Sequence, residues 1–290
     1  MLGALGRARW GDGIDRTGDG SSRARYNASA MDLREGCATA GPRHPWEVSR
    51  ACFFRDRLVA RGILGSGTRV LDVGAGDGYL ASVLLPSLRP AGTVLCYDAH
   101  YGSDILARLR SAAAPEMTFT NQRPDRAFDL VLLLDVLEHV EDDQDLLAGV
   151  VRDLVRPGGV LVASVPAWPG LFTRHDQMLA HRRRYRPARL QQLLRGCNLT
   201  LVEQGGLFHS LLAVRGCEKL AELLRGSYSQ PSLESVPSIA NTAVAHWQGR
   251  PWISQVALKA LALDSAVGQM LARAGVALPG LSTWAIGRKT

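Results

Sequence analysis

Three glycines at alternate positions, Gly74, Gly76 and Gly78, follow the apolar run "RVLDV", and Asp72 stands two residues before the first. A dinucleotide turn reads GxGxxG, but its third glycine would fall at position 79, where Tyr79 stands. A phosphate loop ends in GK[ST], and no lysine follows here. An acid beside the turn repels a pyrophosphate and suits a ligand that carries positive charge. Asp98 ends the next apolar run, 24 positions beyond Gly74. A carboxylate there can accept hydrogen bonds from both hydroxyls of a ribose. Further on, "DVLEHV" supplies Asp135, Glu138 and His139. His139 is a candidate general base; equally, Glu138 and His139 could hold the loop and helix that follow.

A second cluster lies in "RHDQMLAHRRRY", residues 174–185. His175 and Asp176 are candidates for a base and its orienting partner. His181, Arg183, Arg184 and Tyr185 are candidates for receiving a carboxylate, phosphate or sugar-phosphate by forked hydrogen bonds. A buried ion-pair cluster would give the same residue pattern. Trp46, in "HPWE", is a candidate lid over the cleft, or a tryptophan packing the first helix on the fold.

These residues need a scaffold that gathers them at one edge, and the hydrophobic pattern predicts one. From residue 68 apolar strands alternate with amphipathic helices: "TRVLDVG", "GTVLCYD", "MTFTN", "FDLVLLLD" and "VLVASVP" read as strands, with helical segments between them. That order predicts an α/β fold, a doubly wound Rossmann-like sheet. In such sheets ligands lie in the crevice at the carboxyl ends of the strands, where Asp72, Asp98, Asp135 and His139 fall. "LTLVEQGGL" reads as a sixth strand and "LSTWAIGRK" as a terminal strand. Residues 209–225 and 251–274 read as amphipathic helices, packed cover for sheet and pocket or else a lipid-facing or dimer-forming surface. Residues 1–42, rich in Gly, Arg, Ser and Asp, read as a flexible basic arm.

S-adenosylmethionine offers the cationic groups that Asp72 would favour, an ammonium and a sulfonium. Its carboxylate can be received by backbone N–H groups of the turn and the next helix. With "VLDVGAGDG", "CYDAH", "FDLVLLLDVLEHVEDD" and "LVRPGGVLVASVPA" in this order over residues 68–167, the chain resembles the class I S-adenosylmethionine-dependent methyltransferases. The resemblance implies that Asp72, Gly74, Ala75, Gly76 and Gly78 bind the methionine half of the cofactor. It assigns the ribose to Asp98 and Ala99, the adenine side to Asn121, and the methyl-facing end of strand four to Asp135. The family's usual acid after strand three is not evident in "TNQRPD". The resemblance also implies about seven strands with the last antiparallel. Domain bounds are then 43–208 for the cofactor-binding core, 209–279 for a helical insertion covering the pocket, and 280–290 for the final strand of the core.

The expected activity is methylation of a small molecule, on oxygen by family frequency, with a lipid-linked, quinone-like or saccharide acceptor. The net charge of +7, from 34 Lys and Arg against 27 Asp and Glu, raises an RNA or protein methyltransferase as the alternative. No NPPY-type amide-methylating motif follows strand four and no appended RNA-binding motif is visible, so no specific nucleic-acid partner is expected. A cofactor-binding scaffold without turnover is the non-enzyme alternative. The five cysteines are scattered, with no CxxC and no zinc spacing, so neither a disulfide framework nor a metal is expected, and a cytoplasmic setting fits. Contact with a membrane surface stays open, and nothing in the sequence speaks to oligomeric state.

Overall fold

The computed structural model describes residues 43–224, 251–274 and 276–290. The proposed arm, residues 1–42, and residues 225–250, between the two amphipathic segments, lie outside the described residues.

Seven strands form one sheet in the order β3-β2-β1-β4-β5-β7-β6. They are β1 (Arg69–Val73), β2 (Thr93–Tyr97), β3 (Met117–Thr120), β4 (Phe128–Leu134), β5 (Val155–Pro166), β6 (Leu199–Leu207) and β7 (Ser282–Lys289). β1 pairs in parallel with β2 and β4, and β4 with β5. β7 runs antiparallel to both β5 and β6, as the family resemblance implies. The central strands are buried on both faces, and this is why β1 and β4 read as nearly unbroken apolar runs. Strand order reverses between β1 and β4, so the crevice opens at the carboxyl ends of those two strands.

The helices are α1 (Pro45–Ala60), α2 (Tyr79–Leu84), α3 (Ser103–Ala112), α4 (Asp143–Leu154), α5 (Arg174–Met178), α6 (Pro187–Gly196), α7 (His209–Leu224) and α8 (Pro251–Arg273). Pro45 opens α1, where a missing N–H costs nothing, and the His44 ring accepts from the Trp46 N–H at 3.2 Å. Phe53 and Phe54 of α1 meet Trp284 of β7 edge-on, with centroids 5.3 and 6.2 Å away. The Asp142 carboxylate caps α4 by accepting from the Asp145 N–H at 2.9 Å.

Two elements differ from the sequence reading. β5 begins at Val155, ahead of the run "VLVASVP" that reads as its strand; its register against β4 shifts between Phe128 and Leu130, with Gly158 at φ 72°. The polar connection after β5 contains the one-turn α5. Thr173 and Asp176 form its capping box, a T-x-x-D signal that was legible but short.

Several arginines pair with acids at the edge of the fold. Glu203 of β6 pairs with Arg57 and Arg61, Asp129 with Arg69 and Arg156, and Asp143 with Arg183 and Arg189. Between β6 and β7 in sequence, α7 and α8 are tied together at one end. The Asp264 carboxylate on α8 accepts from the His209 and Ser210 N–H groups at 2.9 and 2.7 Å, a cap supplied from a neighbouring helix. No described helix is long and apolar enough to cross a membrane.

Candidate active site

A cavity of about 470 Å³ lies at the carboxyl ends of β1 and β4. Asp72, Gly74, Ala75 and Gly76 form one side of it, Asp135, Glu138 and His139 another, and His175, Asp176, His181 and Arg184 a third. Trp46 and Arg50 of α1 and Leu211, Val214, Arg215 and Glu218 of α7 close it.

The glycine turn has the backbone that its sequence requires. Gly74, Gly76 and Gly78 take φ of 71, 55 and 77°. A Cβ at Gly74 would sit 2.6 Å from Val136 Cγ2, and one at Gly78 would sit 2.7 Å from the Phe119 ring. A Cβ at Gly76 would meet no protein atom within 4 Å, so this glycine leaves space on the cavity wall. Gly74→Ala is therefore expected to lose about 2 kcal/mol of stability, combining left-handed strain with the Val136 clash. Gly76→Ala should lose only the strain, about 1 kcal/mol. Thermal midpoints of the two variants check the order; equal losses would contradict it. The Tyr101 hydroxyl donates to the Gly76 carbonyl at 2.6 Å and holds the turn from below.

Asp72 is buried, and burial pushes its carboxyl up to about 7, with Arg50 opposing that rise and Asp98 and Asp77 adding to it. Asp135 lies at φ 55°, an uncommon conformation for a residue with a Cβ; its carboxylate accepts from Ser164 Oγ at 3.0 Å and pairs with Arg50. Glu47 and Asp77 also line the cavity, and Arg43 beside them pairs with both. The space at Gly76 and the buried Asp72 next to the turn fit S-adenosylmethionine.

Asp98 lies one residue past β2, buried, with Oδ1 accepting from the His100 N–H at 2.9 Å. Asp98 is not on the wall of this cavity, and neither are Gly78, Ala99 and Asn121. The Asn121 side chain donates to the Tyr101 carbonyl at 2.9 Å, which spends that donor on the loop.

Around Asp176 the second cluster takes the form of the buried ion-pair alternative. Asp176 does not orient His175. It is fully buried and accepts from the Thr173 N–H at 2.9 Å and from Arg184 Nε at 2.8 Å, with His181 Nδ1 at 3.0 Å. Burial alone would raise its carboxyl, but His181, Arg184 and Thr173 hold it well below the usual carboxylate range. His175 lines the cavity separately, and burial followed by the charge of Arg215 lowers its pKa. His139 faces His181 edge-on, with ring centroids 4.9 Å apart; burial first, then His181, bring His139 down to about 4, so its ring is neutral at neutral pH.

Arg183 and Tyr185, expected at the acceptor, are not on the cavity wall. Arg183 donates to the Val140 and Glu141 carbonyls at 3.0 and 2.7 Å. The buried Tyr185 hydroxyl bonds to the Leu137 carbonyl and the Asp143 carboxylate, both at 3.0 Å. Of the "RRY" triplet only Arg184 reaches the cavity, and Asp176 and the Ala167 carbonyl engage it. Trp46 does reach the wall, meeting Phe208 edge-on at 6.4 Å. The sequence reading missed Arg50, one helical turn after Trp46 on α1, and Arg215 and Glu218 on α7. For Arg50 the i, i+4 spacing from Trp46 was the available signal; the α7 pair had none, since only packing brings that helix to the cleft.

A family model for a methyltransferase domain matches residues 47–204, more than half the chain. The chain is 26% identical over 231 residues to a ubiquinone biosynthesis O-methyltransferase of Mesorhizobium japonicum, covering 68% of this chain and 88% of that relative. A second enzyme of that name, from Dinoroseobacter shibae, is 29% identical over 163 residues, with 51% of this chain and 64% of the relative covered. The match thus spans just under two thirds of the second relative. Among solved structures the [4+2]-cyclase SpnF superposes with a TM-score of 0.51 at 16% identity, over 91% of this chain and 95% of that one. That likeness is one of fold.

Proposed function

This chain belongs to the class I S-adenosylmethionine-dependent methyltransferases, and on that premise we propose that it methylates a hydroxyl oxygen of a quinone-like, ring-bearing small molecule. The observation that carries the reading is the continuity of the one cavity, from the acid-lined glycine turn to the cluster of Glu138, His139 and His181. The likeness to enzymes named for ubiquinone biosynthesis supports the acceptor class.

When bound, the cofactor supplies a methyl group on a cationic sulfur, already activated for displacement. The chain must therefore hold an acceptor oxygen in line, exclude water and take the oxygen's proton. Asp72 and the glycine turn hold the cationic end, and Asp98 is assigned the ribose. Trp46, Phe208, Leu211 and Val214 present an apolar wall suited to a ring. The polar cluster of Glu138, His139 and His181 faces the same space and receives the hydroxyl. The segment between β6 and β7, which supplies α7, acts in this reading as an insertion shaping the acceptor end.

Incubation of the full chain with S-adenosylmethionine and a prenylated catechol tests the proposal. An O-methylated product with equimolar S-adenosylhomocysteine is expected by mass spectrometry. Cofactor binding without turnover of any phenol or catechol would overturn the acceptor assignment. Asp98→Ala should weaken cofactor binding by roughly tenfold to a hundredfold, the loss of a charged hydrogen-bond acceptor. Calorimetry checks this, and unchanged affinity would remove Asp98 from the cofactor site.

A further inference from the structure

We infer that Arg184 and Arg215 form an oxyanion subsite at the acceptor end of the cavity, which receives a carboxylate or phosphate ester carried by the acceptor ring. The inference rests on the O-methylation reading and adds an acidic substituent to the substrate class. Both arginines line the cavity, Arg184 from the connection after β5 and Arg215 from α7. His175 of α5 lines it as well. The Arg184 side chain is 3% exposed. Its Nε donates to Asp176 at 2.8 Å and its Nη1 to the Ala167 carbonyl at 3.1 Å. The Arg215 side chain is 14% exposed, and its Nη1 meets Thr173 Oγ1 at 3.2 Å and Glu218 Oε2 at 3.0 Å. Among the described residues no hydrogen bond engages Arg184 Nη2, or Nε and Nη2 of Arg215. Buried donors without an acceptor are costly, and an oxygen placed in the cavity can take them.

The two guanidiniums are held in one frame. Thr173 Oγ1 donates to Asp176 at 3.2 Å and accepts from Arg215, while Asp176 holds Arg184. α7 is pinned to the same segment twice more. Lys219 Nζ donates to the Phe172 carbonyl at 2.6 Å, and Glu222 accepts from the Arg174 N–H at 3.2 Å. Donors fixed in advance lose little freedom when a ligand arrives. Leu211 lies one helical turn before Arg215 on the same face of α7, about 5.4 Å along the axis. A ring against Leu211 therefore sets its substituent at Arg215.

The acids nearby do not fill the subsite. Asp176 is fully engaged, with Oδ1 on Arg184 and His181 and Oδ2 on the Thr173 N–H and hydroxyl. Glu218 stands at the rim with its side chain 55% exposed, where an ion pair holds weakly. Glu138 acts on Arg184 less than Arg215 does. Burial leads in lowering the Arg184 pKa, Asp176 opposes it, and Arg215 adds to it. Burial and then Arg215 lower His175 in the same way. Like charges are thus gathered at one end of the cavity, a repulsion that a bound anion relieves. Arginine suits this role because its planar fork matches a carboxylate or phosphate in two parallel hydrogen bonds.

The full chain, saturated with S-adenosylhomocysteine, is titrated by calorimetry with two pairs of probes. One pair is 3,4-dihydroxybenzoate and its methyl ester; the other is phenyl phosphate and phenol. At least one acid is expected to bind about tenfold or more tighter than its uncharged counterpart, and the pair that shows it tells carboxylate from phosphate. Arg215→Met, or Arg215→Gln should the first variant fail to fold, is expected to abolish the preference, and Arg215→Lys to keep part of it. Acids that bind no better than their counterparts, or a preference that survives in the folded variant, overturn the subsite. S-adenosylhomocysteine affinity should be the same with and without Arg215. A parallel loss would give the arginines to the cofactor's own carboxylate and overturn the acceptor assignment. Methyl transfer to the ester as efficient as to the acid overturns the subsite alone, whereas a tightly bound acid with no transfer to any hydroxyl overturns the O-methylation reading.

Discussion

Asp72→Asn is expected to make the folded protein more stable above pH 7 while weakening its hold on S-adenosylmethionine. Asp72 is buried at the end of β1, and its folded pKa of about 7 lies well above an unfolded carboxyl's value. Between about pH 4 and pH 7 the native state therefore binds more protons than the unfolded chain, so stability falls as pH rises through that window. Above pH 7 the carboxylate is charged in the fold and its desolvation is a standing cost. Arg50 opposes the cost, and Asp98 and Asp77 add to it. Asparagine removes it and should raise stability at pH 8 by roughly 1–3 kcal/mol. A cation bound beside the group prefers the carboxylate. Cofactor affinity should thus rise between pH 6 and pH 8 in the unaltered protein, and be flat and at least tenfold weaker in the variant. Melting curves and calorimetry at three pH values test both halves. A variant that is less stable at pH 8, or that binds the cofactor as well as the unaltered protein, would remove Asp72 from this role. The conflict between stability and ligand binding is the expected sign of a residue kept for function.

Asp176→Ala is expected to cost about 3–5 kcal/mol, a fall of roughly 10 °C in thermal midpoint. The loss comes from what it leaves behind. Arg184 is buried and would keep its charge without its carboxylate; Thr173 would lose its capping partner; His181 would lose the group that fixes its ring. The double variant Asp176→Asn with Arg184→Met tests that account, because removing both charges should recover part of the loss. A double variant as unstable as the sum of its singles would show that the pair does not act as a unit. Asp176 was a candidate catalytic partner on its sequence; in the fold its carboxylate engages Thr173, His181 and Arg184.

Where the sequence was decisive, the physical rule acts over a few residues. Strands buried on both faces must be continuously apolar, so "RVLDV" and "FDLVLLL" announce the parallel sheet. A backbone at positive φ selects glycine, so Gly74, Gly76 and Gly78 announce the turn, and Tyr79, where the dinucleotide fingerprint needs its third glycine, rules out that form. The acid before the turn and the order of the motifs, with the family model over residues 47–204, carry the methyltransferase identity. Side-chain partnership has no such local rule. Whether "HDQMLAHRRRY" binds a ligand or ties the fold together depends on where one turn of helix and one left-handed residue, Ala180, point each side chain. Only the tertiary structure sends Tyr185 into the core and Arg183 onto the loop carbonyls. It alone brings His181 against Glu138 and His139, because that contact is made between chain segments 42 positions apart and no periodicity in the sequence records it.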